Sequence, residues 1–419
     1  MTTGMAADRD PAGPAYDPPR VQKGLAQEAG AALSAGAGLE SGAGNSFAPC
    51  GHERQAQKGP AEKDANVTDS KKNYRVVQWA TGNVGSRALR RAIEHPDLEV
   101  VGVYVHSDAK VGRDAGELAG VDPIGVAATN SIEGVLALKP DCVLYMPHVF
   151  NAQEVCRILE SGANVVSTRM ELQNPAALNP ALAEQIEAAC KKGNSSVHAT
   201  GSSPGFITEA LPIVLTSIQR RLDHFAINEF ADNTTRNSPE MLFEMMGFGA
   251  QPGNSNTAHQ DHARTSFGPS LQLIATALGK PIDRFETRSN IGLAREDVHI
   301  AAGVVPKGTV AATRTTLAGF HQGKELMSFT STWFVSTDVD TDDGEEWEFR
   351  TPSGWHVVVQ GDCPLDVSIS FPVAPENYAN MTPGLTAHRP VNCVPYVCEA
   401  PAGIRTSLDL PQIVARLGE

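Results

Sequence analysis

Between residues 74 and about 220 the apolar positions fall in short unbroken runs, each followed by an amphipathic stretch. YRVVQW (74–79), LEVVGVYV (98–105), DCVLYMPHV (141–149), NVVST (164–168) and SSVHAT (195–200) read as strands buried on both faces, because their apolar residues do not alternate with polar ones. A shorter strand is expected near Ile124 to Ala128. The stretches between them read as helices: one up to Glu94, one from Ser131 to Leu138, one from Asn151 to Glu160 stopped by Gly162, and one from Ala181 to Lys192 ended by Gly193. Strands and helices in alternation predict a Rossmann-like, doubly wound parallel sheet, an α/β fold.

Past Arg221 the pattern changes. LDHFAINEFAD (222–232), DRFETRSNIGLA (283–294), GTVAATRTTLAGF (308–320), ELMSFTSTWFVS (325–336) and GWHVVVQGD (354–362) show partial apolar and polar alternation without intervening helices. Such runs predict a mostly antiparallel sheet with one buried face, in an α+β domain. Helices are expected near Pro239 to Gly247 and Pro269 to Leu278, and SLDLPQIVARLGE (407–419) reads as a closing helix with Pro411 in its first turn. Residues 1–70 carry Ala, Gly and Pro with few large apolar groups, too few to offset the entropy of ordering them. That segment is expected to be a disordered tail, with a start codon assigned too far upstream as an equal account. The expected organisation is therefore a tail at 1–70, a dinucleotide domain at 71–220 and a substrate and dimerisation domain at 221–390. A C-terminal segment, 391–419, is expected to pack back on the first domain.

Composition narrows the function. The chain has 419 residues, 41% hydrophobic and 20% charged, long enough for two cores and without an apolar stretch able to span a bilayer. A net charge of −14 speaks against nucleic acid as a partner, since phosphate backbones demand basic surface. Seven cysteines form no CxxC pair and no zinc-finger spacing, which points to free thiols in a cytoplasm.

The candidate chemistry begins at Trp79-Ala80-Thr81-Gly82-Asn83-Val84-Gly85, where the first strand turns into the first helix. Free amides at a helix start bind a pyrophosphate, Gly82 lets the backbone approach it, and Gly85 lets helix and strand pack closely. Ala80 stands where the GxGxxG fingerprint has its first glycine. Thr81 to Gly85 are thus candidate cofactor residues, and His106 and Ser107, ending the second strand, are candidates for the adenosine ribose. With Lys110 and Arg113 nearby the cofactor is expected to be NADP, with NAD possible. In an open parallel sheet ligands lie at the carboxyl ends of the strands. Met146, His148, Thr168, Ser202 and Pro204 follow those ends and complete this set. Glu171, between Met170 and Leu172, is suited to general acid/base work if its surroundings are apolar. His259-Gln260-Asp261-His262 has no third ligand and reads as a polar loop rather than a metal site. Met241, Met245 and Met246 read as core or loop.

Taken together, WATGNVG, YVHSDAKVGRDAGEL, STRMELQNP, GSSPGF and AHRPVNCVPYVCEAPAGI resemble the dihydrodipicolinate reductase-like superfamily over residues 74 to 419. Within it the chain is most similar to the 2,4-diaminopentanoate dehydrogenase group and the native amine dehydrogenases, including their actinobacterial branch. True dihydrodipicolinate reductases carry a His-His pair, a downstream Lys and a Pro-Ser-Gly-Thr turn where this chain reads EFADNTTRNSPEMLFEMMGFG (229–249), so lysine biosynthesis is disfavoured. The resemblance implies an NAD(P)H-dependent oxidoreductase acting on a C=N or C–NH2 bond: reductive amination of a small ketone with ammonia, or oxidative deamination of the amine. It implies a catalytic glutamate in a motif resembling STxEEL, here Ser167 to Leu172, in which Met170 replaces the first acid and Glu171 keeps the second. It also implies Asn392 at the cofactor, a homodimer, and a pocket closed by side chains such as Phe206, Phe248 and Trp333. A reductase of aldehydes or ketones and a non-catalytic NADP-binding sensor are the alternative readings.

Overall fold

The computed structural model of the chain describes residues 73–253, 256–350 and 353–418. The expected tail at 1–70 lies outside the described residues. A first sheet contains β1 (Tyr74–Trp79), β2 (Leu98–Tyr104), β3 (Ala128–Thr129), β4 (Cys142–Tyr145), β5 (Asn164–Ser167) and β6 (Ser196–Ala199), every pairing parallel, in the order β6-β5-β4-β1-β2-β3. The switch point between β1 and β4 is where a doubly wound sheet opens a crevice. The connecting helices are α1 (Asn83–Ile93), α2 (Ala115–Ala119), α3 (Ile132–Ala137), α4 (Ala152–Glu160) and α5 (Pro180–Gly193). Their starts follow local chemistry: the side chains of Ser131, Asn151 and Asn179 cap α3, α4 and α5, and Pro180 occupies the first turn of α5. The strand expected near Ile124 shrinks to Ala128–Thr129, because the Asp114 carboxylate accepts the amides of Ile124 and Gly125 and holds that stretch as a turn.

After α6 (Leu211–Thr216) the second sheet is built from β7 (Leu222–Asp232), β8 (Arg284–Ala294), β11 (Val310–His321), β12 (Lys324–Phe334), β13 (Val339–Thr341), β14 (Gly354–Gly361) and β15 (Leu365–Ser370). Its order is β13-β8-β11-β12-β7-β14-β15, antiparallel throughout except for β7 with β12; β9 (Val298–Ile300) and β10 (Gly303–Val305) make a separate hairpin. Phe225, Ile227, Phe329 and Val357 lie on the face covered by α7 (Asn256–Ala277), against Phe267, Leu271 and Ile274. That helix starts well before the expected Pro269, which sits inside it.

The C-terminal expectation needs correcting. No helix forms over 407–418; the Asp409 carboxylate instead accepts the amide and hydroxyl of Thr406 in a tight turn. The closing helix is α8 (Pro375–Cys398), concealed by Pro383, Pro390 and Pro395 in its interior. Burial of Ala387, Val391, Cys393, Val394 and Val397 beside Leu89 and Val100 outweighs the cost of those prolines. Beyond it β16 (Gly403–Arg405) pairs in parallel with β6 as a seventh strand of the first sheet.

Candidate functional site

The β1-to-α1 turn carries Ala80 at φ +71°, a left-handed conformation that costs a non-glycine residue about 1 kcal/mol. Gln78 Nε2 secures it by donating to the Ala80 carbonyl oxygen at 2.9 Å. A Cβ on Gly85 would lie 2.2 Å from that same oxygen, so only glycine lets α1 start this close to the strand. A Cβ on Gly82 would meet nothing within 4 Å, and no side chain caps the first turn of α1. Open space in front of uncapped helical amides fits a pyrophosphate. Lys110 Nζ donates to the Thr81 carbonyl at 2.9 Å and to its hydroxyl at 3.1 Å, so this lysine braces the turn instead of standing free at the end of β2. His106 and Ser107 are exposed there, with His106 edge-on to Tyr104. Asp108, the acid that could hold a ribose hydroxyl, accepts from Asn130 at 3.0 Å.

From this turn a cleft of about 690 Å³ runs between the two sheets. Of the residues singled out in the sequence, Gly82, Asn83, Val84, Gly85, Met146, His148, Thr168 and Ser202 line it. Thr81, His106, Ser107, Pro204, Asn392 and Glu171 are not among its lining residues. Pro204 belongs to an irregular π-type turn, Ser202–Ala210, in which Gly205 has φ +124° and a Cβ there would come within 2.6 Å of the Thr200 hydroxyl. Asn392 faces α1 and accepts from Arg91; α8 lends the cleft Tyr378, Thr382, Pro383, Leu385 and Thr386 instead. Glu171 sits in a short 3-10 turn and takes two hydrogen bonds from Arg169, at 3.1 and 2.5 Å. Arg169 lines the cleft and donates onward to the His148 carbonyl at 2.7 Å.

The opposite wall holds residues that the sequence reading missed or set aside. Glu229 on β7 lies across from Trp355 on β14, and Ser331 of β12 pairs with it on the other side, which brings Trp333 onto the same face. Trp333 Nε1 donates to one Glu229 oxygen at 3.1 Å and Trp355 Nε1 to the other at 2.9 Å. The available signal was Phe225, Ile227, Glu229: a carboxylate continuing an apolar face at strand period. His259 and His262, expected in a polar loop, are on α7 and line the cleft, as do Met241, Met245 and Met246. Burial lowers the pKa of both histidines, opposed for His262 by the charge of Glu229. Burial likewise pushes Tyr378 up to about 12. Trp333 joins the wall as expected. Phe206 packs near Trp355 without lining the cleft, and Phe248 is buried in the second core, where it cannot close a pocket.

A family model described as the C-terminal domain of 2,4-diaminopentanoate dehydrogenase matches residues 206–419, and one described as the N-terminus of dihydrodipicolinate reductase matches residues 76–200. An amine dehydrogenase of Streptomyces virginiae is 29% identical over 82% of this chain and 98% of its own length. The 2,4-diaminopentanoate dehydrogenase of Acetoanaerobium sticklandii is 23% identical over 82% and 95%. The solved structure of an amine dehydrogenase from Mycobacterium smegmatis superposes with a TM-score of 0.64 at 20% identity, covering 83% of this chain and 98% of that one, which shows a shared fold.

Proposed function

The chain belongs to the family of the 2,4-diaminopentanoate dehydrogenase C-terminal domain, and from that premise we propose an NAD(P)-dependent oxidoreductase that interconverts a small ketone plus ammonia with the corresponding primary amine. The observation that carries the reading is one continuous cleft. A phosphate cradle at Gly82 to Gly85 lies at one end, and a carboxylate, two tryptophans and two histidines line the other. When bound, the nicotinamide supplies the hydride that reduces C=N, or accepts it from the amine carbon.

The chain's own residues do the rest. The amides after Gly82 hold the pyrophosphate, and the strand-end segments at Met146, Thr168 and Ser202 shape the nicotinamide side of the cleft. Glu171 handles protons: it takes one from the amine nitrogen before hydride leaves, and in the other direction takes one from ammonium or the carbinolamine nitrogen and passes it to the departing hydroxyl, which leaves as water. In this structure Glu171 is held by two hydrogen bonds from Arg169, which lines the cleft beside it. NADP is the expected cofactor, a preference supported by His106 at the ribose end and by the engagement of Asp108 with Asn130. A homodimer in the cytoplasm completes the reading, supported by the family resemblance and by the open edge of the second sheet at β15.

The deciding experiment follows NADPH oxidation with a panel of small ketones in the presence and absence of ammonium chloride. Ammonia-dependent turnover is expected; turnover indifferent to ammonia would make the protein a carbonyl reductase, and nucleotide binding without turnover would make it a sensor.

A further inference from the structure

We propose that Glu229, clamped by Trp333 and Trp355, is the subsite that receives the ammonium group of the amine substrate and favours it over an uncharged ligand of the same size. The proposal rests on the oxidoreductase reading for the identity of the cleft as the substrate site. Its structural argument is separate. β7 presents Phe225, Ile227 and Glu229 to one face at strand period, and the neighbouring strands add Phe329 and Val357 to that face. A half-buried carboxylate on an apolar face is costly unless a cation or donors offset it.

Two donors are present, and both are indoles. An indole N–H gives one hydrogen bond and no charge, while each carboxylate oxygen accepts about two. Each oxygen therefore keeps room for a further donor. No salt bridge to Glu229 is formed among the described residues. Arg236 lines the same cleft, but its Nη1 contacts the Met241 sulfur at 2.7 Å. His262, whose pKa is lowered by burial, is neutral near pH 7 and supplies no counter-charge. A primary ammonium brings three donors and the missing charge.

Fixed on both oxygens from strands either side of β7, the carboxylate does not have to reorganise when the cation arrives. Glu229 is thus assigned binding and selection, while proton transfer stays with Glu171. The two roles separate experimentally, one in affinity for the charged ligand and the other in turnover.

The test is calorimetric titration of the full chain with hexylammonium chloride and with 1-hexanol, an uncharged probe of the same length. The wild type is expected to bind hexylammonium at least tenfold tighter, with a change in tryptophan fluorescence. Glu229→Gln should bind the two probes alike. If Glu229→Gln fails to fold, Glu229→Asp serves instead: it keeps the charge but withdraws it from the indoles, and a several-fold loss of preference is expected. Equal binding of both probes by the wild type, or an undiminished preference in either Glu229 variant, overturns the assignment. Loss of all amine oxidation in the wild type with the binding preference intact would refute the functional reading and leave the subsite standing.

Discussion

Replacing each of the two glycines at the β1-to-α1 turn by alanine separates cofactor binding from folding. At Gly85 the added methyl lies 2.2 Å from the Ala80 carbonyl oxygen, 3.0 Å from its carbon and 3.2 Å from Gln78 Nε2. The first of these is more than about 1 Å inside the roughly 3.5 Å of a favourable contact. The backbone oxygen cannot move aside, because Ala80 is held at φ +71° by Gln78, so α1 must lift from the strand. Overpacking of this kind costs about 1–3 kcal/mol, and the helix start moves with it. At Gly82 the methyl meets nothing, and φ −74° suits alanine. Stability should then stay within about 1 kcal/mol of wild type, with a small gain from the stiffer unfolded chain. The methyl does fill the space proposed for the pyrophosphate, and a tenfold or greater loss of affinity, about 1.4 kcal/mol or more, is expected. Differential scanning fluorimetry reads the first effect and NADPH fluorescence titration the second. A folded Gly82→Ala protein that binds NADPH like the wild type would refute the placement of the phosphates, and an unshifted melting curve for Gly85→Ala would refute the packing argument.

Other outcomes follow from the same geometry. Glu171→Gln should lower turnover roughly 100-fold or more, as removal of an acid/base group does, while costing little stability because its ion pair with Arg169 is part-exposed; full turnover would end its catalytic assignment. His106→Asp places a negative charge where a 2′-phosphate is expected, and the ratio of kcat/KM for NADP over NAD should fall about tenfold or more; an unchanged ratio would put the ribose elsewhere. His198 is buried with Nδ1 donating to the Arg405 carbonyl, and burial pushes its pKa down from 6.5 to about 4. The unfolded chain takes up a proton that the folded one refuses, so stability is full above about pH 6.5 and falls as the pH drops towards 4. Urea denaturation between pH 4 and 7 should show that slope, flattened in His198→Asn; equal slopes in the two proteins would remove His198 as its source.

Much of the first sheet was legible because its signals are local. Unbroken apolar runs, Ser131 and Asn151 at helix starts, and the Gly82 and Gly85 spacing each act within a few residues of the chain. α7 and α8 were hidden or misplaced for the converse reason. Pro269 and the three prolines of α8 argue against helix in isolation, and only burial against the two sheets outweighs them. Glu171 was picked out by motif, but its engagement with Arg169 depends on how the β5-end turn folds back towards His148.

The sequence by itself determined a dinucleotide turn, an α/β domain and a second domain of alternating strands, since helix starts, glycine geometry and apolar period are properties of short segments. Only the tertiary structure decided the far wall of the cleft. Glu229, Trp333 and Trp355 come from three strands as much as 126 positions apart, and α7 adds His262. Which of their faces meet depends on strand register, and register is set by the burial of a whole sheet rather than by any one segment.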